Sequence, residues 1–283
     1  MTVQHKTPRK KALLVILLSL LVLGLLLVSA FSSSLSPLFL AAPEPVADVV
    51  QENGNLSVFF CPHEICEQQF LQVIQESQET LHCALYDLRL SSLKKAFLDK
   101  SQFIDVRIVV DEQNVRFVDE LPPEMIRKAT GSGLMHNKFC VADSKKVLTG
   151  SMNPTENDVF RNNNNLLVIS SKALAENYEQ EFQELWQGTF GRGTAVPHPA
   201  VRLGYIQMEN AFCPDDRCAA RIKKELAAAE ESIHFMAFSF THPSIANILL
   251  LKHTDGLLVR GVMEARGMDE RSQFSRLQYQ GID

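Results

Sequence analysis

The chain has 283 residues, 46% of them hydrophobic, and a formal net charge of −5. That length allows one large domain or two smaller ones, with enough apolar content for a real core. Residues 1–11 hold Lys6, Arg9, Lys10 and Lys11 and no acid, so removing that +4 leaves −9 for the remainder. An acidic balance argues against a general nucleic-acid binder, though not against a local basic site.

In chain order, the basic tail of residues 1–11 is followed by residues 12–31, ALLVILLSLLVLGLLLVSAF, which carry no charge. About 20 apolar residues suffice to cross a bilayer as a helix. Basic residues before the run predict an N-terminus inside and the rest of the chain outside. The run exceeds the core of a usual signal peptide, so we expect an uncleaved signal anchor. The rival is a signal peptide cut after Val28-Ser29-Ala30, which would give a secreted protein. Residues 32–55, rich in Ser, Pro and small side chains, read as a tether between bilayer and domain.

Beyond the tether, residues 64–76 place Ile65, Phe70, Val73 and Ile74 at helical spacing, and residues 80–88 read as a strand. Leu93, Ala96 and Phe97 mark a short helix, and residues 104–111 a second strand. Residues 137–142 and 146–150 alternate as a hairpin around Asp143-Ser144. Leu166–Ser170 is a buried strand, and Leu174, Tyr178, Phe182 and Leu185 form the apolar stripe of a helix that stops at Gly188. Residues 56–190 thus form an α/β lobe with helices around a mixed sheet, and residues 191–200 form a linker. In residues 201–283 the pattern repeats. Phe60-Cys61-Pro62 and Cys66 return as Phe212-Cys213-Pro214 and Cys218, Glu79-Thr80-Leu81-His82 as Glu231-Ser232-Ile233-His234, and Tyr86 as Phe238. So long a period indicates a duplicated lobe rather than a solenoid. The second copy is expected to be incomplete, because the repeat is still running when the sequence stops.

The six cysteines divide in two. Cys61/Cys66 and Cys213/Cys218 share one spacing at a helix start, and outside the membrane local disulfides are favoured over a shared thiolate metal site or free thiols. Cys83 and Cys140 fall in strands and are expected to be buried small apolar residues. His82 and His234 read as core or inter-lobe histidines, and His63 as a surface residue. Asp111-Glu112, at a strand end, could line a cleft.

The chemistry concentrates in Met135–Asn153. His136 and Lys138, two apart on a strand, point to one face. An imidazole beside a cation, joined by the short donors of Ser151 and Asn153, suits a phosphate. His136, Lys138, Asp143, Gly150, Ser151 and Asn153 meet every letter of His-x-Lys-x4-Asp-x6-Gly-Ser-x-Asn, and the stretch resembles the signature of the phospholipase D superfamily. The resemblance implies an α/β sandwich and a phosphodiesterase without cofactor or metal. In that mechanism His136 attacks phosphorus to give a phosphohistidine. Lys138, Ser151 and Asn153 hold the nonbridging oxygens, while Asp143 orients the strand or the lysine. A second histidine, from a partner signature, protonates the leaving oxygen and then activates water. A homodimer supplies that partner in short members.

One departure stands out. Members commonly carry an acidic residue shortly after the Gly-Ser-x-Asn turn, where this chain has Arg161-Asn162-Asn163-Asn164-Asn165. Asn164 can accept a hydrogen bond but cannot stabilise an imidazolium as a carboxylate does, and Glu156 or Asp158 could substitute. The leading expectation is a membrane-anchored phosphodiesterase that hydrolyses or transfers phosphodiesters, with phospholipid ahead of nucleic acid. The alternatives are an endonuclease of the same superfamily and a catalytically silent, tethered binder of phosphorylated ligands.

Overall fold

A computed structural model describes residues 49–283 except Ser132. The segment 12–31 read as an anchor lies outside the described residues. Among the described residues no helix is long and apolar enough to cross a membrane. In chain order the elements are β1 (Val50–Glu52), β2 (Asn55–Cys61), α1 (Cys66–Glu76), β3 (Thr80–Leu85), α2 (Ser91–Lys100), β4 (Asp105–Asp111), β5 (Ile126–Ala129), β6 (Lys138–Ala142), β7 (Lys146–Gly150), α3 (Glu156–Phe160), β8 (Asn164–Ser170) and α4 (Lys172–Trp186). They continue as β9 (Ala200–Leu203), β10 (Ile206–Glu209), α5 (Cys218–Ala228), β11 (Ser232–Ala237), α6 (Pro243–Thr254), β12 (Leu258–Met263) and α7 (Phe274–Tyr279).

Seven strands form one mixed sheet in the order β2-β8-β7-β6-β3-β4-β5. Alternation along β6 shows why it takes a helical layer on each face. Cys140 and Ala142 join the core that holds Phe70, Val73 and Ile74 of α1 and Leu93 and Phe97 of α2. Phe139 and Val141 join the opposite core, with Ala175, Phe182 and Leu185 of α4. A period of two thus feeds both cores. The hydroxyl of Ser171 caps α4 by accepting the Leu174 N–H at 3.1 Å, an ordinary N-cap.

Several expectations need correction. Cys83 and Cys140 are buried but are not thiols. They face one another across β3 and β6, with Cα atoms 4.0 Å apart, and form a disulfide. The sequence placed each in a strand but could not give the pairing that makes them neighbours. The tether ends sooner than expected, since Val50–Glu52 pairs in parallel with Val201–Leu203. The linker yields its last residue, Ala200, to β9, which also pairs with β10. The loop before β8 contains the short helix α3. The disulfides Cys61–Cys66 and Cys213–Cys218 are present, which leaves no thiolates for a shared metal site.

The repeated motifs adopt matching structure. Cys66–Glu76 and Cys218–Ala228 are both helices of 11 residues, and β3–β4 and β11–β12 are both parallel pairs. Their histidines differ. His82 is buried, with Nδ1 2.8 Å from Glu179 and the ring stacked on Phe182 at 4.6 Å, whereas His234 is exposed.

Candidate active site

Strand direction gathers the site at one end of the seven-stranded sheet. β2, β3, β4, β5 and β7 finish there, and β6 and β8 begin there. The pairing of Phe139 with Thr149 sets Lys138 opposite Gly150, beside the turn that holds Ser151 and Asn153. Gly150 is required at that turn. Its φ is +144°, and a Cβ would stand 2.3 Å from the carbonyl oxygen of Asn165, a conformation and a clearance that only glycine supplies.

His136 lies just before β6 and is exposed. Its ring meets the edge of Tyr86 at 4.7 Å between centroids. The Lys138 ammonium donates to the His136 carbonyl at 2.8 Å and stands 5.2 Å from the Tyr86 ring centroid. Although its surface is exposed, the ring's partial desolvation against its neighbours lowers the His136 pKa, and the charge of Lys138 adds to that, while Asp111 and Asp158 oppose it. Burial also brings the pKa of Lys138 down to about 8, against the pull of Asp158 and Asp87. These effects favour the neutral imidazole and bring the titration of the ammonium close to physiological pH.

Around the turn, hydrogen bonds join Ser151, Asn153, Asp158 and Asn164. The Ser151 hydroxyl donates to Asn164 Oδ1 at 2.8 Å and accepts the Asn165 N–H at 3.0 Å. Asn164 Nδ2 donates to the backbone carbonyl of Asp158 at 3.2 Å. The Asp158 carboxylate accepts from both the backbone N–H (2.9 Å) and the side-chain amide (2.7 Å) of Asn153, and from Asn162 Nδ2 at 2.6 Å. Asn153 Oδ1 is buried and has no hydrogen-bond partner. Glu156 is exposed. It lines a cleft of about 410 Å³ that also touches Asp87, Arg89, Asn153 and Asp158. It makes none of the bonds that hold the turn, so Asp158 rather than Glu156 is the carboxylate of this cluster.

Asp143 does not join the site. It follows the far end of β6, roughly 16 Å from Lys138 at the usual strand rise. Its Oδ1 accepts the backbone N–H groups of Gln78 (3.0 Å), Glu79 (2.7 Å) and Thr80 (3.1 Å). Burial pushes its pKa up, but these donors outweigh burial and hold it below the usual carboxylate range. Asp143 thus ties the β6–β7 turn to the entry of β3, and it is too distant to orient the lysine.

The structure adds residues that sequence reasoning passed over or left open. Asp111 is buried, and its Oδ2 accepts the Met135 N–H at 2.8 Å, which holds the segment entering His136. Arg89 pairs with Asp87 through Nε and Nη2, both at 2.8 Å, and lies 3.7 Å from the centroid of Phe117. Behind the site, Asn137 Nδ2 donates to Glu181 Oε1 at 3.1 Å. Burial drives the Glu181 pKa up to about 7, with Glu184, Asp215 and Asp216 adding to it and the Asn137 bond opposing it. Each acts through a contact distant in sequence, and only the strand-end position of Asp111 gave any signal.

An imidazole, a partly desolvated ammonium and a braced serine–asparagine turn thus lie at one end of a mixed sheet between helices. Comparison with known proteins agrees. A family model described as "Cardiolipin synthase, PLD-like domain" matches residues 70–186. A phospholipase D of Rickettsia prowazekii is 31% identical over 136 residues, covering 46% of this chain and 66% of that protein, just under two thirds of its length. A mitochondrial cardiolipin hydrolase of Xenopus tropicalis is 28% identical over 155 residues, covering 51% of this chain and 74% of that protein. Residues 70–186 thus match a phospholipase D-like domain. A solved phosphatidylserine synthase of Haemophilus influenzae superimposes with a TM-score of 0.51 at 12% identity, over 73% of this chain and 61% of that one, and bears on the fold alone.

Proposed function

We propose that the chain is a membrane-tethered phosphodiesterase that cleaves phospholipids through a phosphohistidine on His136. The observation that carries this reading is an imidazole and an ammonium whose pKa is about 8 packed on the same Tyr86 ring, with Lys138 opposite Gly150 at the start of the Ser151–Asn153 turn. His136 attacks phosphorus, and Lys138, Asn153 and Ser151, whose hydroxyl turns from Asn164 to the substrate, take the charge that builds on the nonbridging oxygens. Asp158 holds the Asn153 amide in its donating orientation and balances the positive charge that develops on His136. In this reading Asp158 supplies the carboxylate that Asn164 lacks, and Asn164 positions Ser151. A second imidazole must protonate the leaving oxygen, and we assign it to a second His-x-Lys set facing the first, which a symmetric second copy of the chain can provide. The α5–β12 region is read as part of a duplicated lobe.

The tether reading rests on the uncharged run 12–31. Six cysteines paired in three disulfides fit a domain outside the cytoplasm. The names of the rickettsial and amphibian relatives favour phospholipid over nucleic acid as substrate. The test is parallel turnover of phosphatidylcholine, cardiolipin, single-stranded DNA and the soluble diester bis(p-nitrophenyl) phosphate, in the presence of chelator. The expected result is hydrolysis of a lipid and of the soluble diester, lost in H136A. DNA cleavage without lipid cleavage would replace this reading with that of an endonuclease. Inactivity on all four would leave a silent binder.

A further inference from the structure

Large apolar side chains are exposed around the rim of the site. Phe60 is 61% exposed, Ile65 52%, Phe160 49% and Leu134 52%. The first three form one lip. Phe60 and Ile65 flank Cys61 and Cys66, whose disulfide holds their Cα atoms 5.9 Å apart. Phe160 ends α3, where its neighbour Val159 is buried in the same core as both cysteines. Cys61 Sγ lies 3.6 Å from the sulfur of Met152, the residue between Ser151 and Asn153. The lip is thus built directly onto the phosphate turn. Leu134 stands across the site, two residues before His136, and the exposed Arg161 follows Phe160.

We infer that this lip is an interfacial docking surface for a phospholipid bilayer, with Phe60, Ile65 and Phe160 entering the acyl boundary while Arg161 meets lipid phosphates. The inference deepens the proposed function by naming the physical form of the substrate, a packed bilayer rather than a dispersed diester. Three features favour a bilayer over a protein partner. Phe60 pairs with Asn165, next to the Ser151–Asn153 turn, and Phe160 ends the helix that follows that turn. The exposed cation Arg161 is adjacent to Phe160 in the chain. The sequence also carries an uncharged run of 20 residues upstream, ending about 25 residues before β2. Partial burial of aromatic and aliphatic side chains beside cations is the usual chemistry of interfacial binding.

The test uses the full chain reconstituted into vesicles of phosphatidylglycerol and phosphatidylcholine, with the phosphatidylcholine acyl chains dibrominated. The sole native tryptophan, Trp186, lies 5.5 Å from Arg107 near the start of β4, away from the site. Single variants F60W and F160W place a reporter in the lip. F103W places one at Phe103, which is 82% exposed beside the start of β4. We expect the added emission of F60W and F160W to be quenched at least about twofold more than that of F103W. In a second arm, F60S/F160S should lower turnover of bilayer lipid about tenfold and leave bis(p-nitrophenyl) phosphate unchanged, with F103S altering neither. Quenching equal to that of F103W, or an equal loss on both substrates, would overturn the docking surface. Quenching needs no turnover, so failure of the soluble diester assay would count against the phosphodiesterase reading alone.

Discussion

Lys138 carries the most readily tested charge in the molecule. Burial brings its pKa to about 8, and the same burial holds His136 below its ordinary value. The attacking form needs the imidazole neutral and the ammonium charged. Thus kcat/KM should rise as pH climbs through the depressed His136 value and fall as Lys138 deprotonates around pH 8. K138R should remove the alkaline limb from that range, because a guanidinium stays charged, at a cost in rate. An alkaline limb unchanged in K138R would assign that limb to another group. Glu181 makes a second prediction. Its folded pKa of about 7 lies above the value of 4.5 usual for a glutamate, so between those values the folded state binds the extra proton. Stability is therefore lost as pH rises through that window. E181Q should raise Tm at pH 8 and change it little at pH 5, and an equal shift at both would contradict the assignment. Among single residues, His136 was expected on β6 and lies just before it, while Lys138, the first residue of that alternating strand, was legible. Asp143 was not, since the letters of a signature do not tell which end of a strand faces the site. The roles of Asp158, Asp111 and Glu181 depend on tertiary contacts that no local pattern encodes.

At the scale of elements, the Cys83–Cys140 disulfide joins the strand leading to Tyr86 and Asp87 with the strand that opens on Lys138. It closes a loop spanning 57 residues, against 5 for Cys61–Cys66. On the chain-entropy account, the longer loop contributes about 4 kcal/mol and the shorter about 2 kcal/mol. C83A/C140A should therefore lower stability more than C61A/C66A in denaturant unfolding, and should loosen the site enough to lower kcat. The reverse order of stability would show that local strain at the helix entry outweighs loop entropy. Long amphipathic elements such as α1 and α4 were readable because three or more turns of apolar spacing leave little ambiguity. β1, β5, β9 and β10 have 3 to 4 residues each, too few for a period of two to register, and α3 has 5. Their existence is set by the partners they bond to. That is why the last residues of the tether proved to be a strand paired with β9.

For the molecule as a whole, residues 66–111 and 218–263 each run helix, strand, helix, strand. What the repeated pattern could not convey is how these stretches are joined. Phe212 packs against Tyr178 at 4.9 Å and Phe139 at 5.9 Å between ring centroids, and β1 and β9 share a sheet. F212A should lower Tm and speed hydrogen exchange in β9 and β10 ahead of β6 and β7. Uniform exchange would mean that the aromatic contact does not couple the two parts. The central claim concerns one bond, from the His136 imidazole to phosphorus. The most direct test mixes the protein with a diester substrate, quenches it rapidly in alkaline denaturant and maps the modified peptide by mass spectrometry. A phosphoryl adduct on His136, present during turnover and missing from H136A, is the predicted result. Turnover that persists in H136A, or an adduct on any other residue, would contradict it.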